Sequence, residues 1–301
     1  ETDKGRSINR ILNGDYALNQ CRTKIINERG KEREITMPNF FPDQIIHWAI
    51  MLQLKPIMMK GMYKYCCGSV PKRGISYGKN YIERIFATDK KIKYCLKLDI
   101  KKYFPSVDCK IMLNLLKRKI KDNKAIELLH NILGDGKGLP IGYYTSQWLS
   151  NFYLETLDHF IKEKLQIKYY IRYVDDMVLL DNNKRKLHKA RIAIDDFLHK
   201  ELDLQLKGNY QVFPLKSRAI DFLGFRFYKN NKTKIRKHIF LKLRRNRNKV
   251  KNKMKCNKHI AQSIISLIGW LKQTKSYNYY CYYIKPIIKI GKLRRIVATG
   301  A

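Results

Sequence analysis

Three aspartates in two short segments are the residues best suited to chemistry. Asp99 closes the run Lys93-Tyr-Cys-Leu-Lys-Leu-Asp99, while Asp175 and Asp176 lie together between Lys168-Tyr-Tyr-Ile-Arg-Tyr173 and Met177-Val-Leu-Leu180. Carboxylates from two such places suit hard divalent cations, because Mg²⁺ prefers oxygen ligands. Two ions roughly 3.5–4 Å apart can activate a 3′-hydroxyl and neutralise a leaving pyrophosphate, so converging carboxylates of this kind would serve phosphoryl transfer onto a growing strand. The competing reading is structural. Asp favours turns, and apolar flanks around an Asp pair are ordinary for a hairpin.

The elements that must position these carboxylates follow from periodicity. Tyr94, Leu96 and Leu98 alternate with Cys95, Lys97 and Asp99, the period-2 pattern of a strand with Asp99 on its more polar face. Pro105 stops it, Ser106 or Asp108 can cap, and Ile111 to Ile120 read as helix. The apolar runs around Val174-Asp175-Asp176 predict a hairpin with carboxylates at its tip. A glycine-rich turn, Gly134 to Gly142, opens a long helix from about Thr145. A helix from about Lys184 to Lys200 leads to a strand at Leu202 to Phe213 and another at Ala219 to Tyr228. Upstream lie a strand candidate, Lys31 to Met37, and a helix after Pro42. From Lys229 the chain reads as helical and very basic. The alternation predicts an α+β fold, an antiparallel sheet with helices on one side, in three stretches: residues 1–90, 91–228 and 229–301.

Composition narrows the partners. The 301 residues carry 63 Lys+Arg against 25 Asp+Glu, a formal net charge of +38, and 45% are hydrophobic. A chain this apolar builds a core instead of remaining disordered. The excess positive charge makes a polyanion, above all nucleic acid, the expected partner, with solvated lysine faces as the plainer reading. Seven cysteines include no C-x-x-C, and the adjacent Cys66-Cys67 lacks ligand partners nearby, so neither a zinc site nor a disulfide framework is expected. Ile45 to Met59 is interrupted by His47, Gln53 and Lys55 and falls short of the ~20 apolar residues of a membrane span. It reads as a buried or amphipathic helix, with His47 a satisfied core histidine. No signal-peptide pattern follows Glu1, and the expected setting is reducing and cytoplasmic, in a bacterium or phage. The loose G-x-G spacing at 134–142 has no preceding strand and no terminal Lys-Ser/Thr, so it is no nucleotide-binding fingerprint.

Four ordered motifs carry a resemblance. Leu98-Asp99-Ile-Lys-Lys-Tyr-Phe104, Gly138-Leu-Pro-Ile-Gly142 with Thr145-Ser146-Gln147, Tyr173-Val-Asp175-Asp176, and Phe222-Leu-Gly-Phe225 occur in the order and spacing of a reverse transcriptase palm. The chain resembles that family over roughly residues 30 to 285. The resemblance implies a right-hand polymerase with fingers (1–90), palm (91–228, with part of the fingers) and a short helical thumb (229–301). It also implies Mg²⁺, with Mn²⁺ as an alternative ion, and RNA-directed DNA synthesis from deoxynucleoside triphosphates.

Carried over by position, the resemblance makes Asp99 and Asp175 the principal metal ligands, with the main-chain carbonyl of Ile100 helping and Asp176 beside them. Phe104 matches the aromatic under the incoming sugar that rejects a 2′-hydroxyl, with core packing as its plainer role. Ile141 and Gly142 belong to the loop supporting the nascent base pair, where Gly142 would allow close backbone approach. Arg33, Lys72 and Arg73 look like the cations that hold the triphosphate. Phe222 to Phe225 match the primer-grip hairpin, with Phe222, Leu223 and Gly224 as its residues, the alternative being a buried strand end. Leu241 to Lys258, with Arg244, Arg245 and Arg247, would lie along a phosphate backbone; ~6 to 10 such contacts would make affinity fall steeply with salt. The tyrosines from Tyr277 to Tyr283 read as core before base-stacking platform.

Two departures from the family pattern stand out. Ile141 occupies a position where many reverse transcriptases carry Gln, and an aliphatic side chain offers no hydrogen bond to the template-primer, which weakens geometric checking. The Pro-Ile-Gly and Thr-Ser-Gln combination resembles the enzymes of diversity-generating retroelements, which copy RNA with errors at adenine, more than group II intron or retron enzymes. Antiphage and abortive-infection enzymes share parts of the pattern. Near Leu204 to Tyr210, the expected lysine that protonates pyrophosphate is displaced; Asn209 or Tyr210 falls nearest, and Lys207 is the substitute. The implied partners are template RNA, primer and cDNA, with a small basic accessory protein and no membrane; the span after Tyr283 leaves no room for a ribonuclease H or endonuclease domain. A non-catalytic RNA-binding module of the same fold is the rival from another class, and retention of Asp99 and Asp175 speaks against it.

Overall fold

The computed structural model describes residues 9–11, 13–14, 16, 18–28, 30–251, 256–274 and 276–299. In chain order the main elements are β1 (Arg22–Glu28), β2 (Lys31–Met37), α1 (Ile45–Gly61), α2 (Ile75–Thr88), β3 (Tyr94–Asp99), α3 (Cys109–Lys119), α4 (Asn123–Leu133) and α5 (Tyr144–Tyr153). They continue with β4 (Tyr169–Tyr173), β5 (Asp176–Asp181), α6 (Lys184–Leu202), β6 (Gln211–Pro214), β7 (Ile220–Phe222), β8 (Phe225–Phe227), β9 (Thr233–Ile235), α7 (Lys237–Lys251), α8 (Lys258–Lys272) and α9 (Ile290–Thr299). The composition is α+β as expected, but the strands form three sheets: β1-β2, β4-β5-β3-β6 and β7-β8-β9. Residues 1–74 with 95–212 form one compact unit, and 75–94 with 213–301 the other.

In the first unit, β4 and β5 pair antiparallel with Tyr173 opposite Asp176, so Val174-Asp175 is a two-residue turn. Met177 to Leu180 are all buried, which explains a continuous apolar run where a one-sided strand would alternate. Helix α6 buries Leu187, Ala190, Ile194, Leu198 and Leu202 along one face. Its start is capped by Asn183, whose side chain accepts from the Lys186 amide, and Asp203 ends it with φ +49°. Asp108, and not Ser106, caps α3 by accepting from the Ile111 amide. The expected long helix from Thr145 is interrupted at Leu154 and continues as Glu155–His159 and Phe160–Lys164.

Several expectations need correction. The strand at 202–213 does not exist as a unit: Leu202 ends α6, Leu206 makes one antiparallel bridge with Ile100, and a strand begins only at Gln211. The strand at 219–228 is a hairpin, because Leu223 and Gly224 both take positive φ, +54° and +82°, and reverse the chain. The stretch from Lys229 begins with β9 before turning helical, and the basic helix does not run through Lys258, since α7 ends at Lys251 and α8 starts after its cap Asn257. Residues 252–255 of that run lie outside the described residues. His47 is buried as expected, but neither ring nitrogen has a hydrogen-bond partner, and burial pushes its pKa down to about 4, which keeps the ring neutral. Of the tyrosines, Tyr280 is core and Tyr279 packs on Phe240 and Tyr283, whereas Tyr282 and Tyr283 are 74% and 54% exposed. The Tyr277 side chain lies outside the described residues. All seven cysteines are free thiols, and no described helix is long and apolar enough to cross a membrane.

In the second unit the β7–β8 turn packs on α8: a Cβ on Gly224 would lie 2.5 Å from the Trp270 ring. Gly269, one residue before Trp270 in the same helix, faces open space. Gly224→Ala should therefore lower stability by roughly 1–3 kcal/mol or more from backbone strain and the clash. Gly269→Ala should raise it by about 0.5–1 kcal/mol, a contrast of opposite signs in thermal unfolding.

Candidate active site

Strand β3 delivers Asp99, and a second segment locks it in place. The Lys207 amide donates to the Asp99 carbonyl at 2.8 Å, the Lys101 amide donates to the Gln205 carbonyl at 2.8 Å, and Ile100 bridges Leu206. This pair of bonds uses the backbone groups of Asp99 and Lys101, leaving the Ile100 carbonyl outside it. The same ladder carries the Lys207 ammonium to Asp99 Oδ2, 2.6 Å away. Asp175 reaches Asp99 from the β4–β5 turn. Burial first, and the neighbouring Asp99 second, push the Asp175 carboxyl up to about 7. Asp176, the first residue of β5, pairs with Lys97 of β3 at 3.4 Å.

These residues fit a divalent cation. Asp99 Oδ1 is buried and has no hydrogen-bond partner, and a carboxylate pair that resists losing its second proton gains most from a cation between its members. Among the described residues no group of three His, Cys, Asp or Glu side chains converges. The two carboxylates would therefore need other oxygens, from backbone, nucleotide phosphates or water, to complete the shell of a hard cation.

Asp175 opens onto a cleft of about 640 Å³. One wall is the segment after β3, where Phe104 is half-buried and its carbonyl accepts from the Leu139 amide at 2.8 Å. The glycine-rich loop forms the next wall, held by Gly138 amide to Val107 carbonyl at 2.7 Å. Strand β2 closes the third side through the Thr36 amide, which donates to the Ile141 carbonyl at 2.8 Å. Gly142 has φ +124°, and a Cβ there would lie 2.1 Å from the Thr36 carbonyl. The close approach it permits is to β2.

The structure thus brings Ile100, Asp175, Phe104, Ile141 and Arg33 to one cleft, together with Lys102, Lys137 and Lys207, while Asp99 lies behind its lining, against Asp175 and Lys207. Lys72 and Arg73 are not among its lining residues; Lys72 is exposed with φ +61°, and Arg73 Nη1 donates to the Tyr63 carbonyl at 3.1 Å. Phe222 and Leu223 are buried and Gly224 is covered by Trp270, the packed strand end that was the plainer reading of this motif. Arg244 and Arg245 are exposed on α7, whereas Arg247 Nε donates to the Tyr283 carbonyl at 2.9 Å.

Sequence reasoning missed what holds the turn. Arg172 has no solvent exposure; its Nε and Nη2 donate to the two Asp158 oxygens, and its Nη1 donates to the Val174 carbonyl at 3.0 Å. The only signal was a charge inside the apolar run Tyr169-Tyr-Ile-Arg-Tyr173.

The reverse transcriptase (RNA-dependent DNA polymerase) family model matches residues 25–227, and the chain belongs to that family. It is 23% identical over 263 residues to Protein YkfC of Escherichia coli K12, covering 72% of this chain and 68% of that one. It is 28% identical over 181 residues to the retron Ec73 reverse transcriptase of Escherichia coli, covering 51% of this chain and 56% of that one. Among solved structures, telomerase from Candida albicans in complex with a fragment of telomeric RNA superposes with a TM-score of 0.61 at 10% identity, over 98% of this chain and 61% of that one. Similarity at that identity establishes a shared fold, that of a reverse transcriptase.

Burial first, and Asp99 second, disfavour the ionised form of Asp175 in the metal-free protein. Asp175→Asn should raise the melting temperature of the metal-free protein above neutral pH and weaken Mn²⁺ binding. Equal melting temperatures there would show that ionising Asp175 carries no penalty in the fold.

Proposed function

We propose that this chain is an RNA-directed DNA polymerase that extends a primer on an RNA template, with residues 1–90 acting as fingers, 91–228 as palm and 229–301 as a short thumb. The observation that carries the proposal is the meeting of Asp99 and Asp175 at the head of a cleft, within the span that matches the family. Mg²⁺, with Mn²⁺ as the alternative, would supply activation of the primer 3′-hydroxyl and neutralisation of the departing pyrophosphate. Asp99, Asp175 and the Ile100 carbonyl would hold it, with Asp176 beside them.

The remaining roles follow from position. Lys207, whose ammonium pairs with Asp99, would pass a proton to the leaving pyrophosphate. Arg33 would grip the triphosphate from β2, with Lys102 and Lys137 lining the same cleft. Phe104 in the cleft wall would crowd a 2′-hydroxyl. With Phe222 and Leu223 buried, a primer grip would act through the backbone of the Leu223-Gly224 turn. Arg244, Arg245 and Arg247 would follow the phosphates of the template-primer. A small basic accessory protein would help dock the RNA.

The finer reading is an error-prone enzyme of a diversity-generating retroelement. Ile141 supports it, because its side chain cannot hydrogen-bond to the template-primer. The 28% identity to the retron Ec73 enzyme favours a second reading, a bacterial reverse transcriptase making a dedicated cDNA in a retron-like or defence setting.

The test is primer extension on an RNA template with four deoxynucleotides, comparing wild type with Asp175→Ala and sequencing the products. Template-copied DNA that disappears in the variant is expected. Errors concentrated at template adenines, reduced in Ile141→Gln, support the retroelement reading; a faithful cDNA supports the second. RNA binding without any extension in the wild type would overturn the polymerase and leave an RNA-binding module.

A further inference from the structure

We propose that Arg172 is a positioning residue that aims the Asp175 carboxylate at Asp99 by fixing the peptide between Val174 and Asp175. The Mn²⁺ arm of its test rests on the metal site proposed above, and the kinetic arm on the polymerase reading.

Arg172 sits wholly inside the first unit, and its donors have acceptors throughout. Nε donates to Asp158 Oδ1 at 2.8 Å, and Nη2 donates to Asp158 Oδ2 at 2.5 Å and to the Asn151 carbonyl at 3.3 Å. Nη1 donates to Asn151 Oδ1 at 3.2 Å and to the Val174 carbonyl at 3.0 Å. Five N–H groups are the full complement of a guanidinium. Asp158 alone would neutralise the charge. The bond to Val174 does something else: that carbonyl belongs to the peptide that leads into Asp175, so its direction sets where the carboxylate points.

The turn needs such a hold. Asp175 lies beyond the last paired residues, Tyr173 and Asp176, and no ladder bond fixes it. Val174, a β-branched residue, is held at φ +55°, a conformation such side chains avoid unless their surroundings impose it. The other side of the turn is pressed by Gly68, where a Cβ would lie 2.5 Å from Val174 Cγ2 and 2.8 Å from its amide nitrogen. Gly68 is in turn tied to the same network, since Asn151 Nδ2 donates to its carbonyl at 2.6 Å. The turn is thus clamped between Arg172 and Gly68, and Asn151 joins the two jaws.

Lysine keeps the charge and can still pair with Asp158, but it has no planar fork to span Asp158, Asn151 and Val174 together. The experiment titrates Mn²⁺ by electron paramagnetic resonance into the full chain, with the signal lost in Asp175→Asn defining the site. Arg172→Lys should weaken that site about tenfold or more, as loss of an outer partner of a metal ligand does. In single-nucleotide extension its kcat should fall about tenfold or more with the KM for primer-template unchanged. Leu198→Ala, a buried substitution on α6 away from the turn, serves as the control: it should lose stability and keep both properties. The paired change Arg172→Met with Asp158→Asn removes the buried charges together and with them the donor to the Val174 carbonyl, and should weaken Mn²⁺ likewise. If Arg172→Lys does not fold, this double variant decides. Wild-type Mn²⁺ affinity in the deciding variant, or an equal loss in Leu198→Ala, overturns the proposal. A wild type that binds Mn²⁺ at the site yet makes no DNA would count against the polymerase reading alone.

Discussion

A guanidinium with no exposure to water must be neutralised and fully hydrogen-bonded, and the first unit is arranged around meeting that demand for Arg172. Removing a partner from such a buried pair typically costs about 3–5 kcal/mol, so Asp158, Asn151 and the β4–β5 hairpin are bound into one arrangement. Tyr170 adds to it by donating from its hydroxyl to Asp158 Oδ1 at 2.7 Å. The segment before α2 joins from the other side, as the Arg172 carbonyl accepts from the Cys67 amide at 2.8 Å and the Arg172 amide donates to the Tyr65 carbonyl at 3.1 Å. A charged residue in a core strand thereby ties three distant stretches of chain to the turn that carries Asp175.

The rest of the cleft is built from backbone. Asp99 is registered by Lys207, Phe104 by Leu139, and Ile141 by Thr36, each through an amide–carbonyl bond of 2.8 Å. Side chains that face the cleft are therefore presented by segments whose positions do not depend on the side chains themselves. Substitutions of the Ile141 and Phe104 side chains would leave these backbone bonds in place. This backbone construction also explains Gly142, whose missing Cβ lets β2 lie directly on the loop. The electrostatics run the opposite way: two carboxylates forced together and one ammonium lent by Lys207 leave a centre with room for cationic charge.

Much of this was legible in the sequence, for physical reasons. Strand β3 alternates because one face meets the core, and the β4–β5 hairpin declares itself through two apolar runs around a polar turn. Helix α6 shows its cap and its stripe. The misses have reasons too. Strand β1, Arg-Thr-Lys-Ile-Ile-Asn-Glu, has little pattern because it is largely exposed and paired only with β2. Helix α4 carried a readable signal in its Asp122 cap and in Ile126, Leu129 and Ile132 at spacings of three. The Leu223-Gly224 reversal is implied by the resemblance to a primer-grip hairpin but not by periodicity, because Phe222 and Phe225 continue the apolar pattern through it. Beyond its charge, nothing in the apolar run Lys168 to Tyr173 marks Arg172 as special, since its partners Asp158 and Asn151 come from a helical stretch that only the fold brings near.

The account stands on one claim, that Asp99 and Asp175 together hold the cation at which a nucleotide joins the primer. Crystals of the full chain with a primer–RNA template, an unreactive deoxynucleotide and Mn²⁺ would test it directly through anomalous scattering. The account predicts a Mn²⁺ peak within bonding distance of Asp99 and Asp175 and of the nucleotide phosphates, with Lys207 moved off Asp99 Oδ2. A nucleotide bound in the cleft with no Mn²⁺ at these carboxylates, or with Lys207 still paired to Asp99, would contradict it.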